Sequence, residues 1–235
     1  MGYNKINMPE IVVIIPALNE ERSIGMVLAD IPPDIASEVI VVNNNSSDST
    51  EEVARKAGAT VINEPLRGYG YACLCGIEYV RSRRRKADIV VFLDGDYSDH
   101  PEEMDRLIQP IVQDDCDFVL GSRLSGNLQP GAMLSFQKFG CRIATILIKL
   151  LYKVNYTDLG PFRAIRFDKL LQLKMKGKKY GWTAEMQVKA AKQHLRYCEV
   201  PVSYRRRIGS SKISGTVKGA LLAGYGITAT ILKNM

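Results

Sequence analysis

Residues Ile89-Val90-Val91-Phe92-Leu93 run straight into Asp94-Gly95-Asp96. Five apolar, β-favouring residues in so short a run predict a buried strand. The two carboxylates then stand at the strand's C-terminal end, where open α/β sheets bind their ligands. With only glycine between them, both acids can face one divalent cation, Mg²⁺ or Mn²⁺. Such a cation takes hard oxygen donors and keeps positions open for phosphate oxygens. A plain pair of solvated turn acids has the same spelling, so the rest of the chain must decide.

Similar runs precede it. Residues 11–15 are apolar and largely β-branched, and they are closed by Pro16-Ala17-Leu18-Asn19-Glu20 and a helix reaching to about Asp30. Residues 38–42 form a second predicted strand, which ends in the polar turn Asn43-Asn44-Asn45-Ser46-Ser47-Asp48-Ser49-Thr50. Asp48 or a nearby serine there can cap the following helix, with Glu51 and Glu52 in its first turn. A short third strand covers 60–62, and Arg67-Gly68-Tyr69-Gly70 opens a helix to about Lys86. After the strand at Ile89, Pro101 starts another helix, a position that suits proline. Residues 117–120 make a further strand ending in Gly121-Ser122-Arg123. Strands alternating with helices predict an α/β fold with a mostly parallel sheet covered on both faces. The polar strand ends at 16–20, 43–48 and 94–96 should then converge on one edge, the expected ligand site.

The bulk numbers narrow the partners. The 235 residues carry a net charge of +7, which favours an anionic partner such as a phosphorylated substrate, an anionic membrane surface or nucleic acid. The arginine runs lack the interleaved aromatics or docking motif of a nucleic-acid binder, so nucleic acid is not expected. Five scattered cysteines without Cys-X-X-Cys spacing suggest neither a disulfide framework nor a zinc site, and fit the reducing cytoplasm. His100 and His194 are the only histidines, which leaves a Ser-His-Asp triad poorly supplied. No uninterrupted apolar stretch reaches about 18 residues, the length expected of a spanning helix. No signal peptide is expected in the polar residues 1–9.

Past residue 130 the alternation stops. Residues 132–152 predict a long helix on which Lys138, Arg142 and Lys149 fall within ~40° of each other at 100° per residue. A narrow basic stripe on a wide apolar helix suits a largely buried helix with one solvated edge, or else a helix that lies at a membrane interface or lines a groove for a lipid chain. The strand-like stretch 199–204 leads into Arg205-Arg206-Arg207-Ile208-Gly209-Ser210-Ser211-Lys212. The run Arg81-Ser82-Arg83-Arg84-Arg85-Lys86 suits a helix C-terminus or anionic lipid. The expected organisation is one domain over 1–212, in two halves at about 10–123 and 124–212. A C-terminal amphipathic helical tail follows at 213–235.

Taken in order, Pro16-Ala17-Leu18-Asn19-Glu20, the 45–50 turn, Arg67-Gly68-Tyr69-Gly70, Asp94-Gly95-Asp96, Gly121-Ser122-Arg123, Gly160-Pro161-Phe162-Arg163 and Arg207 with Ser211-Lys212 resemble family 2 glycosyltransferases of the GT-A (Rossmann-like) fold. Within that family the chain is most similar to polyprenyl- and dolichyl-phosphate sugar synthases, which makes about 10–123 the nucleotide-sugar half and 124–212 the acceptor half. The resemblance implies a peripheral enzyme at the cytoplasmic face of a membrane. It would use Mg²⁺ or Mn²⁺ to move a sugar, with inversion, from a nucleotide-diphosphate sugar to a lipid phosphate. It also implies that Pro16, Ala17, Asn19, Glu20, Asn43, Asp48, Arg67, Gly68, Asp94, Gly95, Asp96, Arg207 and Lys212 bind the nucleotide-sugar, with Asp94 and Asp96 on the metal. Arg123, Asp158, Arg163 and Trp182 fall to the acceptor side, and Asp96, Arg123 and Glu185 to the chemistry.

Two departures stand out. Asn43 and Asn44 replace the acids that usually open the family's second-strand turn, which leaves uridine ahead of guanosine as the base. Ser98 stands where dolichyl-phosphate mannose synthases often carry a glutamine. Glu185 is a general base if the acceptor is a hydroxyl, a positioning residue if it is a phosphate, or a first-turn helix acid. Asp158 is either an acceptor-side residue or a turn acid paired with Arg163. The same transfer to a hydroxyl acceptor is the nearest alternative. A nucleotidyltransferase also pairs acids on a doubly wound sheet, but usually with a glycine-rich loop after the first strand, and 16–20 is not one. Sequence leaves the oligomeric state open.

Overall fold

A computed structural model describes residues 9–209 and 217–234. Seven strands form one sheet: β1 (Ile11–Ala17), β2 (Glu38–Asn43), β3 (Thr60–Asn63), β4 (Ile89–Phe92), β5 (Phe118–Ser122), β6 (Arg163–Arg166) and β7 (Tyr197–Pro201), in the order β3-β2-β1-β4-β6-β5-β7. Neighbours pair in parallel except around β6, which runs antiparallel to both β4 and β5. The helices are α1 (Ile24–Asp30), α2 (Thr50–Lys56), α3 (Tyr69–Ser82), α4 (Met104–Val112), α5 (Ser135–Tyr152), α6 (Phe167–Leu173), α7 (Trp182–Lys192) and α8 (Val217–Lys233).

The period of two sorts each strand's side chains into two cores. Val12 and Ile14 of β1 face α3, α5, α6, α7 and α8, while Ile11, Val13 and Ile15 face α1, α2 and α4. Strands β1 and β4 are apolar on both faces because both faces are covered, as parallel sheets require. Each fully buried aliphatic side chain contributes on the order of 1.5–3 kcal/mol. The α/β class with helices on both faces is therefore as expected.

Several expectations need correction. β6 was not anticipated: four residues, Arg-bounded at both ends, carry no strand-like alternation. Arg163, expected on the acceptor side, is fully buried and donates to the carbonyls of Gly160 and Thr183. Burial pushes its guanidinium down to about 10. The structure joins Cys116 to Cys198 as a disulfide, with Cα atoms 6.0 Å apart, where a cysteine pair was not expected. Parallel pairing of β5 with β7 brings them together across 82 residues, a proximity their spacing could not reveal. The basic run after α3 is partly taken up by the fold, because Arg83 pairs with Glu10 and Glu38 and Arg85 with Glu10. The tail forms α8, which packs on α5 and α7, and the Tyr152 hydroxyl donates to the Ile231 carbonyl at 2.5 Å. No helix among the described residues is long and apolar enough to cross a membrane.

Candidate active site

The C-terminal ends of β1, β2 and β4 open onto a cleft of about 490 Å³. Of the residues expected to bind nucleotide-sugar, Pro16, Ala17, Glu20, Arg67, Gly68, Asp94, Gly95, Asp96 and Arg207 line it. So does Trp182, from the start of α7. Its ring is buried edge-on against Phe92 and Tyr69, which fixes it as a wall. Lys212 lies outside the described residues.

Strand β4 delivers the acids as it leaves the sheet. Asp96 is 4 % exposed, and it accepts from both the backbone N–H and the hydroxyl of Ser98. Ser98 is thus an aligner of Asp96. The other carboxylate oxygen of Asp96 meets Arg207 at 2.7 Å. A third acid, Asp99, escaped the sequence reading. It is 1 % exposed and accepts from the Asp94 backbone N–H. Its signal was simply an acid three residues past Asp96. Oδ1 of Asp94 and Oδ1 of Asp99 are buried with no hydrogen-bond partner among the described residues. Burial, then repulsion from Asp96, pushes Asp94 up to about 7. Burial, then Asp94, pushes Asp99 up to about 8. Buried carboxylates with orphaned oxygens are costly unless a cation offsets them. The donor set is all oxygen and acidic, so it fits a hard divalent ion.

The segment after β7 closes on these acids, and its three arginines differ. Arg205 stacks on the Tyr97 ring and donates to the carbonyls of Tyr97 and Asp99. Arg206 donates to the Pro130 carbonyl. Of the three, only Arg207 lines the cleft. Backbone bonds from Arg205 to Ser98 and from Ile208 to Asp96 hold the segment in place.

Other expected residues serve the scaffold. Asn43 does not line the cleft; its amide donates to Asn63 and Glu51 and accepts from the Ser46 N–H. Its neighbour Asn44 lines the cleft instead, and its side chain bonds the backbone of Glu64, Leu66 and Gly68. Asn19 and Asp48 tie the first two strand ends together. Asn19 accepts from the Ser47 N–H, and Asp48 accepts from Glu21 and Thr50. Neither lines the cleft. Arg123 and Asp158 are paired through two 2.8 Å bonds, so Asp158 partners Arg123 rather than Arg163. Burial favours neutral Asp158, but Arg123 and the Cys141 thiol outweigh it and hold the carboxyl at about 2. Neither residue lines the cleft.

Glu185 also differs from the expected base. It is 3 % exposed, accepts from the backbone N–H groups of Lys176 and Gly177, and pairs with Lys189 at 2.6 Å. It braces the 174–181 segment, which packs on the first turn of α3. A Cβ on Gly70 would strike the Gly177 carbonyl there. Gly70→Ala is expected to destabilise the protein by about 1–3 kcal/mol, read as a lower urea midpoint at unchanged slope. Lys179 and Tyr180 of this segment line the cleft, together with Ala223 and Ile227 of α8. Sequence reasoning had no signal for these.

A doubly wound sheet with acids and an arginine at its carboxyl edge places its ligand cleft where open α/β folds carry theirs. Residues 12–173 match the model of glycosyl transferase family 2, and the chain belongs to that family. An uncharacterized glycosyltransferase of Mycobacterium tuberculosis is 33% identical over 218 residues, 91% of this chain and 94% of the relative. A dolichyl-phosphate hexose transferase of Haloferax volcanii is 30% identical over 219 residues, 91% of this chain and 90% of the relative. Among solved structures, glucosyl-3-phosphoglycerate synthase of M. tuberculosis, in complex with Mn²⁺, uridine diphosphate and phosphoglyceric acid, superposes with a TM-score of 0.77. It is 22% identical and matches 96% of this chain and 78% of that one. The expected GT-A fold and glycosyltransferase class are thus both met.

Proposed function

We propose that this chain moves a sugar from a nucleotide-diphosphate sugar, UDP- ahead of GDP-, to a polyprenyl phosphate, with inversion. The observation that carries the donor half is the acid set at the end of β4, with its orphaned oxygens, paired with Arg207 in the lining of the cleft. Asp94 and Asp96 would hold Mg²⁺ or Mn²⁺, with Asp99 bonded to the Asp94 backbone N–H beside them. When bound, the cation would supply Lewis-acid stabilisation of the departing diphosphate. Arg207 adds a charge-assisted contact that strengthens as negative charge gathers on the leaving group. Pro16, Ala17, Glu20 and Asn44 wall the nucleotide.

A phosphate acceptor is supported by the position of Glu185. A hydroxyl must lose a proton as it attacks, whereas a phosphate oxygen is already an anion. Both carboxylate oxygens of Glu185 are engaged by backbone and Lys189, away from the cleft lining. The acceptor oxygen bonds to the anomeric carbon as the bond to the β-phosphate breaks. Lys179 offsets the acceptor's charge, and Tyr180, Trp182, Ala223 and Ile227 meet its apolar chain. The dolichyl-phosphate hexose transferase of H. volcanii supports this acceptor, while the phosphoglyceric acid in the M. tuberculosis complex represents the alternative of a small soluble one.

The test is a panel of nucleotide-sugars with polyprenyl phosphate or phosphoglycerate, with and without Mn²⁺. Organic-extractable sugar appearing only with the lipid and the metal supports the reading. Transfer to the soluble acceptor alone, or full activity in chelator, overturns it. Glu185→Gln is expected to lower kcat less than tenfold, against about 10²–10⁴ for loss of a general base.

A further inference from the structure

Helix α5 carries a second apolar face that no element among the described residues covers. Its buried side is Cys141, Ala144, Thr145 and Ile148. On the opposite side Phe136, Phe139, Ile143, Ile146 and Leu150 are 47–67 % exposed. At 100° per residue these five fall within an arc of about 80°. Lys138, Arg142 and Lys149, all exposed, run along one flank of that stripe. Helix α8 packs beside α5 and adds exposed Leu222, Tyr225 and Leu232. Other residues of α8, Ala223 and Ile227, line the cleft. Large apolar side chains exposed in such an array mark an interaction surface rather than ordinary surface scatter.

We propose that this α5–α8 face seats the protein on an anionic bilayer, with the α8 end of the cleft brought to the headgroups. An apolar stripe flanked by cations is the pattern of a helix lying in the membrane interface plane. The +7 net charge adds long-range attraction to the same surface. Phe139 and Ile146 enter the acyl boundary while Lys138, Arg142 and Lys149 meet lipid phosphates. The proposal deepens the lipid-acceptor reading, because a membrane-held acceptor would reach the cleft past α8.

Co-sedimentation with vesicles of phosphatidylcholine, with and without 30% phosphatidylglycerol, tests it. The protein is expected to pellet with the anionic vesicles and to stay in the supernatant after Phe139→Glu with Ile146→Glu. Lys138→Gln, Arg142→Gln and Lys149→Gln together should weaken anionic binding about a hundredfold, near fivefold per residue. These positions are solvent-facing, and an unchanged melting temperature confirms that the variants fold. No pelleting of the wild type, or equal pelleting of the glutamate variant, overturns the proposal. So does a concentration-dependent dimer that the glutamate variant abolishes without vesicle binding, since the face would then join two copies. Transfer to a short, water-soluble prenyl phosphate separates this proposal from the acceptor reading. If docking fails, that transfer persists; if the acceptor reading fails, it is absent in wild type while vesicle binding remains.

Discussion

Asp96→Ala is expected to lower kcat by at least about 10³ and to remove the metal dependence of nucleotide-sugar binding. The side chain stands between Ser98, which orients it, and Arg207, which meets it from the other wall. On the proposed reading, losing it removes a cation ligand, and it leaves Arg207 without its acid. Single preorganised electrostatic groups are worth about 10²–10³ in rate, and a displaced cation takes its own share as well. Isothermal titration of UDP-sugars with and without Mn²⁺ measures the binding, and steady-state assays measure the rate. A variant that binds with unchanged metal dependence would refute the assignment. Asp99→Asn should weaken metal binding less, since Asp99 also accepts from the Asp94 backbone N–H and an amide oxygen preserves that bond.

The second large effect is on stability. Asp158→Ala is expected to cost about 3–5 kcal/mol, because it removes a fully buried carboxylate and leaves the Arg123 guanidinium, only 12 % exposed, without its partner. That is a sizeable part of the 5–15 kcal/mol that holds most domains folded. The same pair gives the wild type an acid limb. The folded carboxyl titrates at about 2, below the ordinary value of 3.8. Its contribution is therefore complete above pH ~4 and is lost as pH falls through 2, amounting to about 2 kcal/mol. Urea unfolding of wild type and variant between pH 5 and 2 checks both. The gap between the two proteins should narrow toward pH 2; a constant gap would refute the linkage.

Much of this site can be read from residues alone because its pieces sit where apolar runs stop. The runs before Pro16, Asn43 and Asp94 are strands, and a parallel sheet brings their polar ends to one edge. What sequence cannot give is each polar group's partner. Asn43, Asp48 and Glu185 are the right residue types at the right places, yet each is satisfied by neighbouring scaffold groups, Asn63 of β3, the first residue of α2 and the Gly177 N–H. Asp158 meets Arg123 because Arg163 lies in β6, a reversed strand too short and too charged at its ends to announce itself. Lys179, Ala223 and Ile227 reach the cleft only through long-range packing, which local pattern does not encode.

The reversed strand β6 has a mechanical consequence. It is hydrogen-bonded along both sides, to β4 beneath the donor acids and to β5 beyond. Prising the two halves of the molecule apart like a clamshell would mean tearing one of those ladders. The floor under the reaction is consequently a single stiff plate. Above that plate two segments, 174–181 and 203–209, are pinned by single carboxylates, the first by Glu185 and the second by Asp96 through Arg207.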